Sequence, residues 1–418
     1  MDMFFEFFQG IFNLGAVVML PVVIFLLGIF FRMKIGAAIK SGLLVGIGFQ
    51  GLVLVINFLM STINPVIKYY EAMGSGYSTL DLSFAAVFAA AWSVPFTVIA
   101  IPVIIILNLL LIKFKVVKVM NVDIWNFMHA LVPGTMAYAL SGSVVIGFLV
   151  AIVISTINLF LAQWVAPKWE EFFGLDGTTC STFSYISFCY PLGVLVNKII
   201  DKIPGLNNLD IDMGTLERKL GFFGDPAFIG VIVGAFLGIL TKQDISTILT
   251  IAVGISGVMV LLPRMVSVMM EGITSIGNAA NAYMKKKIGE DANIYIGMDI
   301  ALGLGDPCCI TITAITIPFI ILLAFIIPNM TYFPLGVLTG VCYITPMIVL
   351  SSKGNIVRSL ISMLICVTLV VFFANTFAPE ATAMMNATSV PLDSMVTGAD
   401  FGVNIGNVLV AFISRLIG

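Results

Sequence analysis

Long apolar segments dominate the chain, and polar residues collect in short stretches between them. A bilayer core of about 30 Å is crossed by roughly 20 apolar residues in a helix, because lipid offers the backbone no hydrogen-bond partner. Charge-free apolar segments lie at residues 11–31, 41–60, 94–112, 143–165, 226–240, 245–263, 309–328, 335–350, 359–378 and 401–413. This pattern predicts an all-α polytopic membrane protein. Three broken apolar segments, 82–93, 129–140 and 181–196, predict additional re-entrant hairpins.

The distribution of basic residues predicts the orientation of the chain. Loops rich in Lys and Arg remain cytoplasmic, and such clusters lie at residues 32–40, 113–118 and 285–287. Residues 379–400 contain acidic side chains and no basic one. We therefore expect the N-terminus outside, this late loop outside, and the C-terminus with Arg415 in the cytoplasm. An outside start and an inside finish require an odd number of crossings, and eleven fits the segments.

Composition excludes several classes of protein. Of the 418 residues, 60% are hydrophobic and 10% are charged, with a mean hydropathy of +1.12. A soluble domain has about a quarter charged residues, so soluble enzymes and secreted disulfide proteins are excluded. The net charge of −2 supplies no basic field for nucleic acid. The six cysteines form no metal-ligand spacing and are expected to be buried packing residues.

Three short motifs recur in the same order in both halves of the chain. Residues 27–29 match 237–239, residues 48–51 match 254–257, and residues 101–105 match 317–321. The collinear order predicts one transmembrane domain over 1–418 that is built from two repeat halves, 1–205 and 221–418. Paired repeats with interrupted helices are typical of transporters. The alternative is that such motifs simply recur on helix-packing faces.

Acidic residues next to membrane segments are the first candidates for a functional site. Asp306 lies between glycines and Pro307 at the start of an apolar helix, where a carboxylate suits a polyol or a general base and also suits a helix N-cap. Asp225 repeats the Gly-Asp-Pro tripeptide and is interpreted as an interfacial cap. Asp299 is a further site candidate, whereas Glu271 is expected to point to water.

The only histidine and a hydroxyl-rich segment are the other candidates. His129 follows Asp123, Trp125 and Asn126, which have the composition of an interfacial belt. An imidazole suits sugar hydroxyls or proton transfer, and a structural role is the alternative. Residues 178–185 contain six hydroxyl groups, including those of Ser181 and Thr182, and predict either a re-entrant hairpin at a ligand or an extracellular loop. Arginine, the usual partner of anions, is scarce, so a neutral, hydroxyl-rich substrate is favoured.

Residues 118–126, Lys-Val-Met-Asn-Val-Asp-Ile-Trp-Asn, resemble the galactitol-type membrane subunit, enzyme IIC, of the bacterial phosphoenolpyruvate-dependent sugar phosphotransferase system. Residues 15–21, 197–205 and 261–266 agree with this resemblance, which covers nearly the whole chain. The resemblance implies a homodimeric, multi-pass permease of the bacterial cell membrane. It also implies inverted repeats, eleven helices and an elevator-like movement of the bound sugar.

The resemblance further implies a division of labour between polypeptides. A separate cytoplasmic IIB subunit, phosphorylated on cysteine and served by IIA, phosphorylates the alditol; the chain itself carries no phosphoryl group and no cofactor. Asp306 is the predicted catalytic residue, orienting the attacking hydroxyl. The predicted substrate-binding residues are His129, Asp306, Asp299, Ser181, Thr182 and Asn126.

Two positions depart from the family pattern as the resemblance gives it. His129 matches, but Thr182 and Asp306 stand where galactitol-type members carry histidine. Another alditol, a pentitol or a hexose is therefore as open as galactitol. The competing class is an ion-coupled secondary transporter of a small neutral solute, in which Asp299 and Asp306 are proton or sodium ligands at broken helices. A membrane-bound enzyme or scaffold has little support, because no nucleophile–base motif or metal cluster is present.

Overall fold

The computed structural model of the chain describes residues 15–72, 77–209, 211–220, 225–288, 294–388 and 394–417. Up to residue 209 the helices are α1 (Gly15–Phe30), α2 (Ile35–Glu71), α3 (Phe84–Trp92), α4 (Thr97–Lys113), α5 (Ile124–Ser141), α6 (Val144–Phe173) and α7 (Tyr190–Ile200). The strands in this part are β1 (Thr79–Leu82), β2 (Val119–Asn121) and β3 (Thr178–Cys180). A π-helical turn, Tyr185–Cys189, leads into α7.

The later part of the chain continues with the same kinds of element. Its helices are α8 (Met213–Leu220), α9 (Pro226–Leu240), α10 (Ile245–Ile288), α11 (Pro307–Ile326), α12 (Leu335–Ser351), α13 (Ile356–Thr376), α14 (Ala378–Asn386), α15 (Ala399–Val403) and α16 (Ile405–Ile417). Its strands are β4 (Tyr295–Met298) and β5 (Met395–Gly398), and a 3₁₀ helix, Ile300–Gly305, follows β4.

Helices dominate the described residues, which confirms the predicted class of an all-α polytopic membrane protein. Within α2, α6, α10, α11 and α13 the structure contains five stretches long and apolar enough to cross a membrane. A sixth is present if α3 and α4, separated by a break at residues 93–96, are taken as one span. Shorter apolar helices of 10–17 residues supplement these candidates in the described part of the chain.

Several helices differ in extent from the predicted spans. Helix α2 continues through Pro65 to Glu71, and α10 continues through Pro263 to Ile288. Proline is tolerated inside membrane helices because neighbouring groups satisfy the freed carbonyl. For the same reason the prediction that residues 129–140 are broken was wrong, since α5 is continuous across Pro133. The predicted last span, 401–413, consists instead of two helices, α15 and α16, that are separated by Asn404.

The late acidic segment was also predicted differently. Residues 379–400 were expected to form a loop, but they contain α14 and β5. Glu380 lies in the first turn of α14 and accepts a charged hydrogen bond from Arg415 Nε at 2.5 Å. The prediction that Glu380 and Arg415 lie on opposite sides of the membrane was therefore wrong. Asp400, expected in the loop, is buried in α15. Asp393, the remaining acid of this segment, lies outside the described residues.

Two small parallel sheets were not predicted at all. The first sheet has the strand order β2–β4–β3, with Val119 opposite Tyr295 and Thr178 opposite Ile296. The second sheet pairs β1 with β5, with Thr79 opposite Met395, and Thr79 also forms a parallel bridge with Tyr332. Each strand has only three or four residues, which is too short for the alternation of polar and apolar positions that identifies a strand.

The chain divides into two compact units, each built from three separate segments. The first unit contains the described parts of Met1–Val53, Ala91–Ile186 and Arg264–Leu302, and it holds the first sheet. The second unit contains the described parts of Leu54–Ala90, Ser187–Pro263 and Gly303–Gly418, and it holds the second sheet.

Close helix packing organises the first unit. Helices α5 and α6 approach each other at Gly134 and Gly147, where a β-carbon on either residue would lie 2.7 Å from the other's carbonyl oxygen. Small residues at such contacts let membrane helices pack backbone against backbone. Trp169, near the end of α6, is completely buried. This packing holds α5, the helix that begins at the first sheet, against α6.

Polar contacts between apolar helices stabilise the second unit. The Thr313 hydroxyl of α11 and the Thr345 hydroxyl of α12 lie 2.8 Å apart. The Asn197 Nδ2 atom of α7 donates to the Ser351 carbonyl at 3.1 Å and to the Ser352 hydroxyl at 3.0 Å. Side-chain hydrogen bonds of this kind hold membrane helices together. All six cysteines of the chain are free and buried, as predicted.

Candidate functional site

The three strands of the first sheet each lead into a helical segment at the same edge of that sheet. Strand β2 leads through Asp123 into α5, β4 leads through Asp299 into the 3₁₀ helix, and β3 leads through Ser181 and Thr182 into the π-helical turn. Because the strands are parallel, their carboxyl ends meet at one edge, which is where open parallel sheets bind ligands. We call Asn121, Asp123, Asn126, Ser181, Thr182 and Asp299 the polar edge.

Two aspartates at the polar edge cap the helical segments that begin there. Asp123 Oδ1 accepts the Trp125 N–H at 2.9 Å, at the start of α5. Asp299 Oδ1 accepts the Ala301 N–H at 2.8 Å, at the start of the 3₁₀ helix. Aspartate is a preferred N-cap because its carboxylate satisfies an unpaired amide. Both carboxylates lie just after the ends of neighbouring strands, because β2 pairs with β4.

Asn126 connects the three strand ends through its side chain. Its Nδ2 group donates to Asn121 Oδ1 at 3.1 Å and to Ser181 Oγ at 2.7 Å. Its Oδ1 atom accepts the Thr182 hydroxyl at 2.8 Å, and Thr182 Oγ1 in turn accepts the Ile300 N–H at 3.0 Å. Asn126 is 1% exposed and Thr182 is fully buried. One amide thus holds groups from β2 and from the segment after β3, and Thr182 extends the network to the segment after β4.

His129 lies one turn further along α5, on the side of the hydroxyl-rich segment. Its Nδ1 atom is 2.6 Å from the Ser184 hydroxyl, and its ring packs edge-on against Tyr185 with centroids 5.8 Å apart. The side chain is 4% exposed. The Ser184 contact fixes the orientation of the imidazole and, through the choice of tautomer, the role of its other nitrogen.

The hydroxyls of residues 178–185 have two different roles. Thr178 accepts the Trp169 Nε1–H at 3.1 Å and donates to the Leu175 carbonyl, while Thr179 donates to the Ala162 carbonyl at 2.8 Å. These two side chains attach the strand to α6. Ser181, Thr182 and Ser184 instead contact the polar edge or His129. The segment is completely buried between 178 and 185, so its interpretation as an extracellular loop was wrong.

Asp306 lies in the second unit and caps α11. Its Oδ1 atom accepts the Cys308 N–H at 2.8 Å, and Pro307 occupies the first helical turn. Asp225 caps α9 in the same way, accepting the Ala227 N–H at 2.8 Å, which confirms the cap interpretation of that residue. The structure therefore brings five predicted site residues into one cluster in the first unit, and Asp306 belongs to the other unit. The five are Asn126, His129, Ser181, Thr182 and Asp299.

Three residues of the cluster were missed or misinterpreted from the sequence. Asp123 was assigned to an interfacial belt but is 1% exposed, whereas Trp125 is exposed as a belt residue would be. Asn121 accepts from Asn126, and Asn158 of α6 donates through Nδ2 to the Ser181 carbonyl at 2.6 Å. An amide in the middle of an apolar helix is a signal for function that was available for Asn158.

A glycine gives the hydroxyl of Ser181 its place at the polar edge. A β-carbon at Gly297, in the central strand, would lie 2.7 Å from Ser181 Oγ and 3.1 Å from the Asn121 α-carbon. Only a residue without a side chain leaves this space.

Glu271, predicted to point to water, has a 61% exposed side chain and forms an ion pair with Lys40 at 3.2 Å.

The composition of the cluster indicates what it can bind. It consists of amides, hydroxyls, one imidazole and two carboxylates, which are the groups that recognise the hydroxyls of a neutral polar molecule. Among the described residues, no group of three or more His, Cys, Asp or Glu side chains is arranged to hold a metal ion.

Comparisons with known proteins agree with this chemistry. The family model EIIC-GAT, described as the PTS system sugar-specific permease component, matches residues 10–394. The galactitol-specific EIIC component of the PTS system from Escherichia coli (strain K12) is 32% identical over 404 residues, which cover 96% of this chain and 89% of the relative. The protein of that description from Escherichia coli O157:H7 gives the same values. A putative permease IIC component from strain K12 is 32% identical over 378 residues, covering 90% of this chain and 86% of the relative.

Proposed function

Because this chain belongs to the EIIC-GAT family of sugar-specific permease components of the phosphotransferase system, we propose that it transports an alditol of the galactitol kind. It is a multi-pass membrane protein that acts in sugar uptake. The observation that carries the choice of substrate class is the buried polar edge, in which Asn126, Ser181 and Thr182 form a network of neutral hydrogen-bonding groups. Such groups match the hydroxyls of a polyol.

The proposed mechanism separates binding from phosphoryl transfer. Asn126, Ser181, Thr182, Asp299 and His129 bind the alditol, and a cytoplasmic IIB subunit supplied by IIA donates the phosphoryl group. Phosphoryl transfer depends mainly on positioning and charge stabilisation, together with a base near the attacking hydroxyl. We propose Asp306, whose Oδ1 atom caps α11, as the catalytic carboxylate of this step. No cofactor takes part.

The repeat halves, 1–205 and 221–418, are part of the same proposal. The order of elements supports them, since each half has two helices, a strand, a broken apolar segment and a helix pair before its last strand. The additional elements are β2 in the first half and α14 in the second. The sheets support them as well. In the first unit β4 of the later half lies between β2 and β3 of the earlier half, and in the second unit β1 of the earlier half pairs with β5 and Tyr332 of the later half.

Inverted repeats are a common architecture of transporters that work by alternating access. We therefore propose eleven crossings, an elevator-like movement of the bound alditol, and a homodimer in the bacterial cell membrane. From the basic clusters at 32–40, 113–118 and 285–287 we further propose that the N-terminus lies outside and the C-terminus in the cytoplasm. IIB then acts at the cytoplasmic side.

The test is uptake of labelled galactitol, and of a small panel of other alditols, a pentitol and a hexose, in cells with and without a functional phosphotransferase relay. We expect phosphorylated sugar to accumulate only when the relay works, and the panel identifies the substrate. Free sugar that accumulates without the relay, and disappears on addition of an uncoupler, would contradict the proposal in favour of an ion-coupled transporter. Cells without the protein are the control for both.

A further inference from the structure

The polar edge contains hydrogen-bond acceptors that nothing in the described chain satisfies. Asp123 Oδ1 is occupied by the Trp125 N–H, but Asp123 Oδ2 is buried and has no hydrogen-bond partner among the described residues. The same holds for Asn158 Oδ1, whose Nδ2 group binds the Ser181 carbonyl. A buried polar atom without a partner destabilises the folded protein, and more so if it is charged. These two atoms are the acceptors of the network to which a ligand hydroxyl can donate.

The donors of Asn126, Thr182 and Ser181 are already engaged. Both hydrogens of Asn126 Nδ2 are donated, one to Asn121 and one to Ser181. The Thr182 hydroxyl donates to Asn126 Oδ1, and the Ser181 hydroxyl has Asn121 Oδ1 as an acceptor at 3.1 Å. A hydroxyl carries one donor hydrogen. These three side chains therefore use their donor hydrogens within the network. Asp123 Oδ2 and Asn158 Oδ1 are acceptors, so a ligand that binds at these two atoms must bring hydrogen-bond donors.

The two leftover acceptors belong to the same local network. The Asp123 N–H donates to Asn121 Oδ1 at 3.3 Å, and Asn158 binds the backbone of Ser181. Asn121 and Ser181 are themselves in contact. Asp123 and Asp299 each lie two residues beyond one member of a facing pair on neighbouring strands, since Asn121 lies opposite Gly297. The amino end of α5 favours a carboxylate at Asp123.

We propose that Asp123 Oδ2 and Asn158 Oδ1 accept hydrogen bonds from two hydroxyl groups of the transported polyol. This inference rests on the proposed function and deepens it, because it names two residues that recognise particular hydroxyl groups of the substrate. The two acceptors belong to different helices, Asp123 at the start of α5 and Asn158 in α6, so the ligand must carry more than one donor. A polyol presents several hydroxyl donors along one carbon chain. A site that hydrogen-bonds a hydroxyl rejects an analogue without it, since a buried acceptor is then left unpaired.

The test is binding of galactitol and of its monodeoxy analogues to the purified full-length protein in lipid nanodiscs, measured by calorimetry in sodium-free buffer. The variant is Asp123→Asn, which keeps a good N-cap but replaces the leftover carboxylate oxygen. We expect its affinity for galactitol to fall about 10- to 100-fold, as for loss of a hydrogen bond to a charged group. Asp225→Asn, at an exposed cap of the same geometry, is the matched control and is expected to bind like wild type.

The analogues give the sharper result. Wild type is expected to bind one monodeoxy analogue far more weakly than galactitol, whereas Asp123→Asn binds these two ligands about equally. Asn158→Leu is expected to lose discrimination at a different hydroxyl. If Asp123→Asn does not fold, Asp123→Ser, which also keeps a cap, takes its place.

Two results would overturn the inference while leaving the proposed function intact. One is wild-type affinity and discrimination in Asp123→Asn, when wild type itself binds galactitol. The other is galactitol binding by wild type that requires added sodium, with that requirement lost in Asp123→Asn, because Asp123 would then hold a cation. If wild type binds no alditol of the panel at all, the inference and the proposed function both fail.

Discussion

The two small parallel sheets place aspartates beside helix starts in both compact units, yet they use their polar residues differently. At the first sheet, Asn126 joins Asn121, Ser181 and Thr182 through contacts between side chains. At the second sheet, Asp81 Oδ2 accepts the Gly336 N–H at the start of α12, and the Thr397 hydroxyl donates to the Ala374 carbonyl. The first network connects side chains, whereas the second mainly satisfies the backbone.

This difference separates a candidate site from a structural junction. Contacts between two side chains are only about 10–15% of the hydrogen bonds in folded proteins, so a buried cluster of them needs an explanation beyond folding. A leftover acceptor alone does not distinguish the sheets, because Asp81 Oδ1 also has no hydrogen-bond partner in the described part of the chain. The first sheet differs in having hydroxyls, amides and His129 around its carboxylates.

The largest expected effect comes from removing the amide at the centre of the first network. Asn126→Leu abolishes three side-chain contacts and leaves their partners buried without hydrogen bonds, so we expect alditol affinity to fall about 100-fold or more. Calorimetry on the folded protein measures this. Asn407→Leu is the matched control, since Asn407 donates to Asp400 in the second unit; it is expected to lower stability but to keep affinity within about threefold. If both variants lost affinity equally, the first network would not differ from the polar residues of the second unit in binding the alditol.

An intermediate effect is expected at Asp306, which tests whether the second unit contributes to the chemistry. Asp306→Asn retains the cap on α11 but removes the carboxylate that we propose as catalytic. We therefore expect formation of phosphorylated alditol to slow about 100-fold, at the low end of the range for a general base. Binding changes less than the rate of product formation. The measurement is phosphorylation in membrane vesicles supplied with the relay proteins, with Asp225→Asn as the capping control. Wild-type uptake and phosphorylation in Asp306→Asn would remove this residue from the mechanism.

The smallest effect is expected at the second sheet itself. In Asp81→Asn the side-chain oxygen still accepts the Gly336 N–H, so the cost is about 1 kcal/mol or less and the melting temperature falls by about 2 °C. Uptake and the choice of alditol are expected to remain within about twofold of wild type. A thermal melt and the uptake panel check both statements. A change of substrate preference in this variant would show that the second sheet also holds a ligand.

Individual residues show how far sequence reasoning reached into the site. His129, Asn126, Ser181, Thr182 and Asp299 were all predicted, because polar groups in apolar surroundings are costly without a function. That they meet in one cluster was not predicted, since they are up to about 170 residues apart in the chain.

Asp123 shows the opposite error. Its neighbour Trp125 has the character of an interfacial residue, and that character was extended to the aspartate. In the structure a short strand ends between Asn121 and Asp123, and the chain turns the carboxylate inward while Trp125 stays exposed. Asp123 and Trp125 are only two positions apart, but at the start of a helix their side chains point in opposite directions. The composition of the segment does not reveal this.

The sequence by itself determined the class of this protein, because a lipid solvent requires long apolar helices and leaves few charges anywhere else. It also determined the family, the free buried cysteines and the type of ligand chemistry. Only the tertiary structure decided which polar residues act together. The first sheet pairs strands of three and four residues from positions near 120, 179 and 296, and a pairing that short and that distant leaves no local pattern in the sequence.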